Sequence, residues 1–219
     1  MPARSIPLAP YDFFGYLASG FALLVGCQLI TDVPPVLGHQ HTPMELALLV
    51  FGAYLVGHLV AAAAKPVLED WFVHRVLRPP SHNLVTRRST VWRWICPGYF
   101  KVLPAKSIER IRALAPGMNG ETLFLAVRFD SRMTSNAVTM ARLDTFLAQY
   151  GFARNIAFSL LLLTPTFLIA ARVTHKPDLP IYATLCAVGG VGFLYRYLKF
   201  FRQYSYELLN SFAGLEASK

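Results

Sequence analysis

Apolar residues are concentrated in four stretches of the chain, and charged residues are nearly absent from them. The stretches cover residues 13–30, 46–64, 156–171 and 181–195. Apolar runs that approach the roughly 20 residues needed to cross a bilayer are typical of transmembrane helices. The pattern therefore predicts an all-α membrane protein with four transmembrane helices.

The third and fourth stretches are predicted to continue as longer helices. Residues 135–150 place apolar side chains at helical spacing and lead without a breaker into the third stretch, with Arg154 and Asn155 at the change. An amphipathic half followed by a wholly apolar half is typical of a helix that passes from water into lipid. The predicted organisation is two spans in 1–64, a basic and mainly helical cytoplasmic insert in 65–154, two spans in 155–195 and a C-terminal helix in 196–219.

Local signals predict several shorter features. Thr42 and Glu45 have the spacing of a capping box for the second span. That helix is expected to continue to Leu77, before Pro79-Pro80. In the insert, 107–114 and 121–133 are predicted to be helical, with a strand over 122–129 as the alternative. The rest of 83–118 has no pattern that assigns its fold.

Small residues recur within the predicted spans and would let helices approach closely in lipid. They are Ala18, Ala22 and Gly26 in the first span, Ala53, Gly57 and Ala61 in the second, and Gly189 and Gly190 in the fourth.

The chain has a formal charge of +9, and its distribution predicts an orientation. Most Lys and Arg residues lie in 65–154 or in the tail, whereas the two other connectors hold only Arg172 and Lys176. Positive segments stay on the cytoplasmic side of bacterial membranes. We therefore expect a multi-pass protein of the bacterial inner membrane with both termini in the cytoplasm.

No known catalytic motif is present, so the sequence predicts neither an enzyme nor a cofactor. Three scattered cysteines suggest neither a disulfide framework nor a zinc site. Asp70 and His74 share a helix face and could hold a metal, but an ordinary side-chain pair is the simpler interpretation. Arg75 and His82 match the loose spacing of HEPN-type ribonucleases, which leaves a membrane-bound ribonuclease as an alternative.

The basic insert could contact lipid headgroups, an acidic protein partner, a nucleotide or, less favoured, a nucleic acid. The residues predicted to make ligand or partner contacts are Arg87, Arg88, Trp92, Arg93, Trp94, Arg110 and Arg112. Arg154, Asn155 and Arg196 are predicted to anchor the insert and the tail to the spans.

Two short runs resemble a group of uncharacterised four-span prokaryotic membrane proteins with a basic cytoplasmic insert. They are Asp144-x-Phe146-x3-Tyr150-Gly-Phe-Ala-Arg154-Asn155 and Arg202-Gln-Tyr204-x2-Glu207-x4-Phe212. Some proteins of this layout accompany anti-phage defence or CRISPR-type systems, as membrane effectors or accessory subunits. The resemblance implies an oligomeric membrane effector. We therefore expect a homo-oligomer whose insert senses a partner or anionic ligand and whose spans form a pore or perturb the membrane. The alternative is a membrane anchor or scaffold for a soluble enzyme.

Overall fold

The computed structural model describes residues 10–31, 40–87, 90–118 and 120–214, and every regular element in these ranges is helical. The elements of the first half are α1 (Pro10–Thr31), α2 (Pro43–Ala64), a π-helical segment (Lys65–Leu77), α3 (Pro80–Val85), α4 (Trp92–Ile95) and a 3₁₀ turn (Pro97–Phe100). Those of the second half are α5 (Ala105–Leu114), α6 (Gly120–Arg128), α7 (Ser131–Thr134), α8 (Ala137–Thr174) and α9 (Leu179–Gly214).

Four helices are long and apolar enough to cross a membrane, as the sequence predicts. They are Phe13–Thr31, Pro43–Val85, Ala137–Thr174 and Leu179–Gly214. The last two are unbroken over 38 and 36 residues, so the predicted continuation of both spans as longer helices is confirmed.

The predicted capping box begins α2. The Glu45 backbone N–H donates to Thr42 Oγ1 at 3.3 Å, and the Thr42 N–H donates to Glu45 Oε2 at 2.7 Å. Each bond satisfies a donor that has no partner within the helix. After Ala64 the helix continues to Leu77, as predicted, but with π geometry. Pro66 accounts for a departure from the α-helical pattern, because it has no N–H to donate and its ring would clash with the carbonyl group one turn earlier.

The helical interpretation of residues 121–133 is confirmed and the strand alternative is wrong, but the predicted single helix is interrupted. Helix α6 ends at Arg128, and α7 begins after Asp130. The Asp130 carboxyl accepts a hydrogen bond from the Arg132 backbone N–H at 2.8 Å, as a helix N-cap does. The Arg132 side chain also donates to it, and these bonds lower the pKa of Asp130 below its ordinary value.

The chain divides into two compact units. Unit 1 comprises the chain up to Leu68 together with Gly151–Tyr197, and unit 2 comprises Glu69–Tyr150 together with the chain from Leu198. Helices α8 and α9 each contribute residues to both units.

Unit 1 contains α1, α2 and the apolar parts of α8 and α9. Leu163 and Phe167 of α8 pack with Leu179 and Ala183 of α9 in its buried cluster. Ser159 Oγ donates to the Ser19 carbonyl oxygen at 3.1 Å, so a polar side chain also joins α8 to α1.

Unit 2 has its own hydrophobic core, in which the tail is a central element. Tyr204, Leu208 and Phe212 of α9 are buried together with residues of α3, α5, α6, α7 and α8. The insert and the tail, which the sequence predicts as separate segments, therefore share one core.

Candidate ligand-binding cavity

Unit 2 contains a cavity of about 230 Å³. This volume is equivalent to about eight water molecules at about 30 Å³ each, so the cavity suits a small ligand. The described residues that line it are Glu69, His74, Pro79, Pro80, Ser81, Glu121, Phe124, Leu125, Leu147, Tyr150, Phe201, Tyr204 and Ser205.

Aromatic rings form one wall of the cavity. The centroids of Tyr150 and Phe201 lie 5.1 Å apart with the rings stacked, and those of Tyr150 and Tyr204 lie 6.3 Å apart. Phe124 adjoins Tyr204 at 5.9 Å. The Arg128 guanidinium lies 5.9 Å from the centroid of the Tyr204 ring, an arrangement in which the negative face of the ring attracts a cation.

Ser205 supplies a buried polar group to this cavity. The residue is 1% exposed, and its Oγ has no hydrogen-bond partner among the described residues. A buried hydroxyl without a partner costs about 1–3 kcal/mol, so such groups normally bind water or a ligand. The hydroxyl is therefore available to an occupant of the cavity.

The ionisable residues that line the cavity include two acidic ones. They are Glu69, Glu121 and His74, and no lysine or arginine is among the described lining residues. Carboxylates next to aromatic faces form a binding site for an organic cation. The arrangement contrasts with the anionic ligand expected from the basic composition.

A strained turn holds the lining residues Pro79, Pro80 and Ser81 in place. Arg78, just before them, has a φ of 64°, in the left-handed region. Its carbonyl oxygen accepts hydrogen bonds from Asn83 Nδ2 at 3.1 Å and from the Tyr99 hydroxyl at 2.8 Å. Burial raises the pKa of Tyr99 well above its ordinary value, so the phenol keeps the proton that it donates.

The residues predicted to contact a ligand lie elsewhere. The arginines Arg87, Arg93, Arg110 and Arg112 are exposed, and Trp94 is 90% exposed. Trp92 packs edge-to-face on Phe72, with centroids 6.0 Å apart. Arg88 lies outside the described residues. None of the six described residues lines the cavity.

The structure does not bring the predicted ribonuclease pair onto one helix. Arg75 is exposed on the π-helical segment, whereas His82 lies on α3, beyond the left-handed turn at Arg78. His82 Nε2 lies 3.4 Å from Arg78 Nη1. Asp70 is exposed, and His74 lines the cavity. In the described ranges no group of three or more His, Cys, Asp or Glu residues could hold a metal ion.

Two of the predicted small residues lie at the contact between α1 and α2. A Cβ on Gly57 would clash with the Tyr16 carbonyl oxygen, and Ala53 is fully buried beside Gly20, a position that the spacing did not single out. Gly26 faces Leu163 of α8, and Gly189 and Gly190 face Leu160 and Leu161 of the same helix. Ala18, Ala22 and Ala61 are half-buried.

The three predicted anchor residues all lie in unit 1, close to its boundaries. Asn155 is 3% exposed, and its Oδ1 accepts hydrogen bonds from Arg154 Nε and Nη2, both at 3.3 Å. Arg196 is exposed.

Sequence reasoning missed the cavity, although one signal for it was present. Ser205 interrupts the run of aromatic and apolar positions that α9 buries in unit 2, between Tyr204 and Leu208. A hydroxyl at a core-facing position requires a hydrogen-bond partner, so Ser205 indicates a place in the core where a polar partner binds.

Comparison of the chain with protein-family models, curated proteins and solved structures finds no match. The resemblance to four-span proteins of defence systems therefore stays a prediction.

Proposed function

We propose that this chain is a four-span protein of the bacterial inner membrane whose unit 2 binds a small organic cation and transmits the binding to the spans. The observation that carries the proposal is that two long helices supply much of the cavity wall. Tyr150 belongs to α8, and Phe201, Tyr204 and Ser205 belong to α9. Both helices are also long and apolar enough to cross a membrane.

Continuity of these helices supports a sensing role. A ligand that changes the packing of Tyr150 against Phe201 acts on the same two helices that pack against each other in unit 1 through Phe167 and Leu179. A packed helix moves as a stiff body, so a shift at one end is transmitted along it. In this proposal the insert and both termini lie in the cytoplasm.

The lining chemistry supports an amine as the ligand. The aromatic wall attracts a positive charge, Glu69 and Glu121 can accept hydrogen bonds from an ammonium group, and the Ser205 hydroxyl offers a further polar contact. The surface arginines would then serve membrane orientation and lipid contact rather than the bound ligand.

A matched pair of probes tests this proposal. Phenethylamine and phenylacetate share an aromatic ring and differ in the sign of their charge. We expect phenethylamine, but not phenylacetate, to bind the purified protein in detergent and to raise its melting temperature. Glu121→Gln removes one carboxylate and should weaken amine binding by up to about fivefold, because Glu121 is exposed and an exposed ion pair contributes about 0.2–1 kcal/mol.

Glu109→Gln is the control, because Glu109 is an exposed glutamate of α5 that does not line the cavity. Equal binding of amine and acid, or an equal loss of binding in both variants, would contradict the proposed site. Amine binding that changes neither the permeability of proteoliposomes nor the maleimide reactivity of Cys186 on α9 would instead support the anchor alternative.

A further inference from the structure

An exposed apolar surface is formed by α4 and the residue before it, and none of its residues lines the cavity. Val91 is 75% exposed, Trp94 is 90% exposed and Ile95 is 66% exposed, and we call these three residues the α4 tip. Three large apolar side chains in a five-residue segment are a costly surface to leave in water.

Neighbouring contacts fix the segment that carries the α4 tip. Trp92, within the same helical turn, packs on Phe72, and the Cys96 N–H donates to the Trp92 carbonyl oxygen at 2.8 Å. Four residues beyond the tip, the buried Tyr99 is hydrogen-bonded to the Arg78 carbonyl oxygen. The packing of Trp92 and the hydrogen bond of Tyr99 therefore hold the segment that carries the α4 tip in place.

The charges beside the α4 tip are positive. Arg93 lies between Val91 and Trp94 in the sequence and Arg87 precedes them, and both arginine side chains are exposed. Aromatic and aliphatic side chains flanked by arginine are the composition of segments that rest in the interfacial layer of anionic bilayers.

The support of the α4 tip lies close in the chain to a predicted span. Phe72, on which Trp92 packs, is eight residues beyond Ala64, the last residue of α2. Trp71, which precedes Phe72, is also 56% exposed.

We infer that the α4 tip is a peripheral membrane contact that places Trp94 and Ile95 in the headgroup layer of an anionic bilayer, with Arg93 at the lipid phosphates. It is independent of the cavity, because no residue of the tip lines it.

Lipid suits this surface better than single-stranded nucleic acid. Binders of single strands stack several bases on successive aromatic side chains. Here Trp92 is engaged with Phe72, which leaves Trp94 as the exposed ring of the α4 tip, between the aliphatic Val91 and Ile95. Aliphatic side chains fit the boundary between headgroups and acyl chains.

Tryptophan fluorescence in vesicles tests the inference. The chain has three tryptophans, so the Trp94 signal is the difference between the wild type and Trp94→Phe, a substitution at an exposed position. The full chain is placed in vesicles of phosphatidylcholine and phosphatidylglycerol, with bromine attached either near the headgroup or deep in the acyl chain. We expect the Trp94 component to be quenched most by shallow bromine, less by deep bromine and least by aqueous iodide.

Trp92→Phe is the matched control, since it removes the packed ring rather than the exposed one and leaves the Trp94 signal in place. Arg93→Glu should lower the quenching by shallow bromine and raise that by iodide. Stronger quenching by iodide than by lipid in the wild type overturns the inference. A Trp94 signal that neither quencher reaches would indicate a protein contact and would also overturn the inference. A Trp94 signal that changes only on addition of an oligonucleotide would overturn it as well.

Discussion

Arg78 shows how one residue shapes the candidate site. Its backbone is left-handed, which places its carbonyl oxygen where Asn83 and Tyr99 can donate to it. A left-handed conformation costs an L-residue about 1–2 kcal/mol, so the two hydrogen bonds offset a real strain. The turn that results positions Pro79, Pro80 and Ser81 on the cavity.

A pair of substitutions at Arg78 tests this strain. Arg78→Gly should leave thermal stability unchanged or raise it slightly, because glycine adopts this conformation at no steric cost and the Arg78 side chain is exposed. Arg78→Val should lower the free energy of unfolding by about 1–2 kcal/mol relative to Gly, since a β-branched residue suffers most there. Melting followed by circular dichroism in detergent measures both. Equal stability of the two variants would show that no strain resides at this turn.

At the scale of elements, the contact between α1 and α2 depends on glycine, which has no side chain to separate the two helices. Gly57 lies against the Tyr16 carbonyl oxygen, and backbone cannot move aside as a flexible side chain can. Close approach of this kind is how helices associate in lipid, where the apolar surroundings give no hydrophobic driving force. Tyr16 also stacks on His58, with ring centroids 4.1 Å apart, beside the same contact.

Gly57→Ala should therefore destabilise unit 1 by about 1–3 kcal/mol, the usual cost of forcing an extra group into a packed contact. Gly52→Ala on the same helix is the control, because a Cβ there would have no atom within 4 Å. We expect Gly52→Ala to be neutral or slightly stabilising, since alanine favours helix. Thermal unfolding in detergent compares the two. A larger loss for Gly52→Ala would contradict the structure of this contact.

The helices were largely predictable, because the local composition and the spacing of apolar residues determine them. The four apolar helices, the capping box at Thr42 and the unbroken α8 and α9 all follow from apolar runs and residue spacing. The break before α7 could not be predicted in this way. Asp130 acts as an N-cap only in a particular backbone conformation, and the residue pattern of 121–133 does not reveal that conformation. The cavity was also beyond the sequence, because it needs residues from five elements brought together by packing.

At the scale of the whole molecule, two units share continuous helices. Unit 1 has the composition of a membrane bundle, and unit 2 has a separate core built from the insert and the tail. The tail is essential to that core, since Leu208 and Leu209 are fully buried. This organisation explains why the apolar stripe of α9 continues beyond the residues that a bilayer would cover.

Cysteine labelling tests the central claim, that four helices cross the inner membrane and leave unit 2 in the cytoplasm. Cys27, Cys96 and Cys186 are first replaced by serine or alanine. Single cysteines are then introduced as His175→Cys, in the connector between α8 and α9, and Arg110→Cys, on the exposed face of α5. A membrane-impermeant maleimide is applied to intact and to lysed bacterial spheroplasts.

We predict that the cysteine at position 175 is labelled in intact spheroplasts and that the cysteine at position 110 is labelled only after lysis. Labelling at position 110 in intact spheroplasts, or recovery of the chain in the soluble fraction without detergent, would contradict the account.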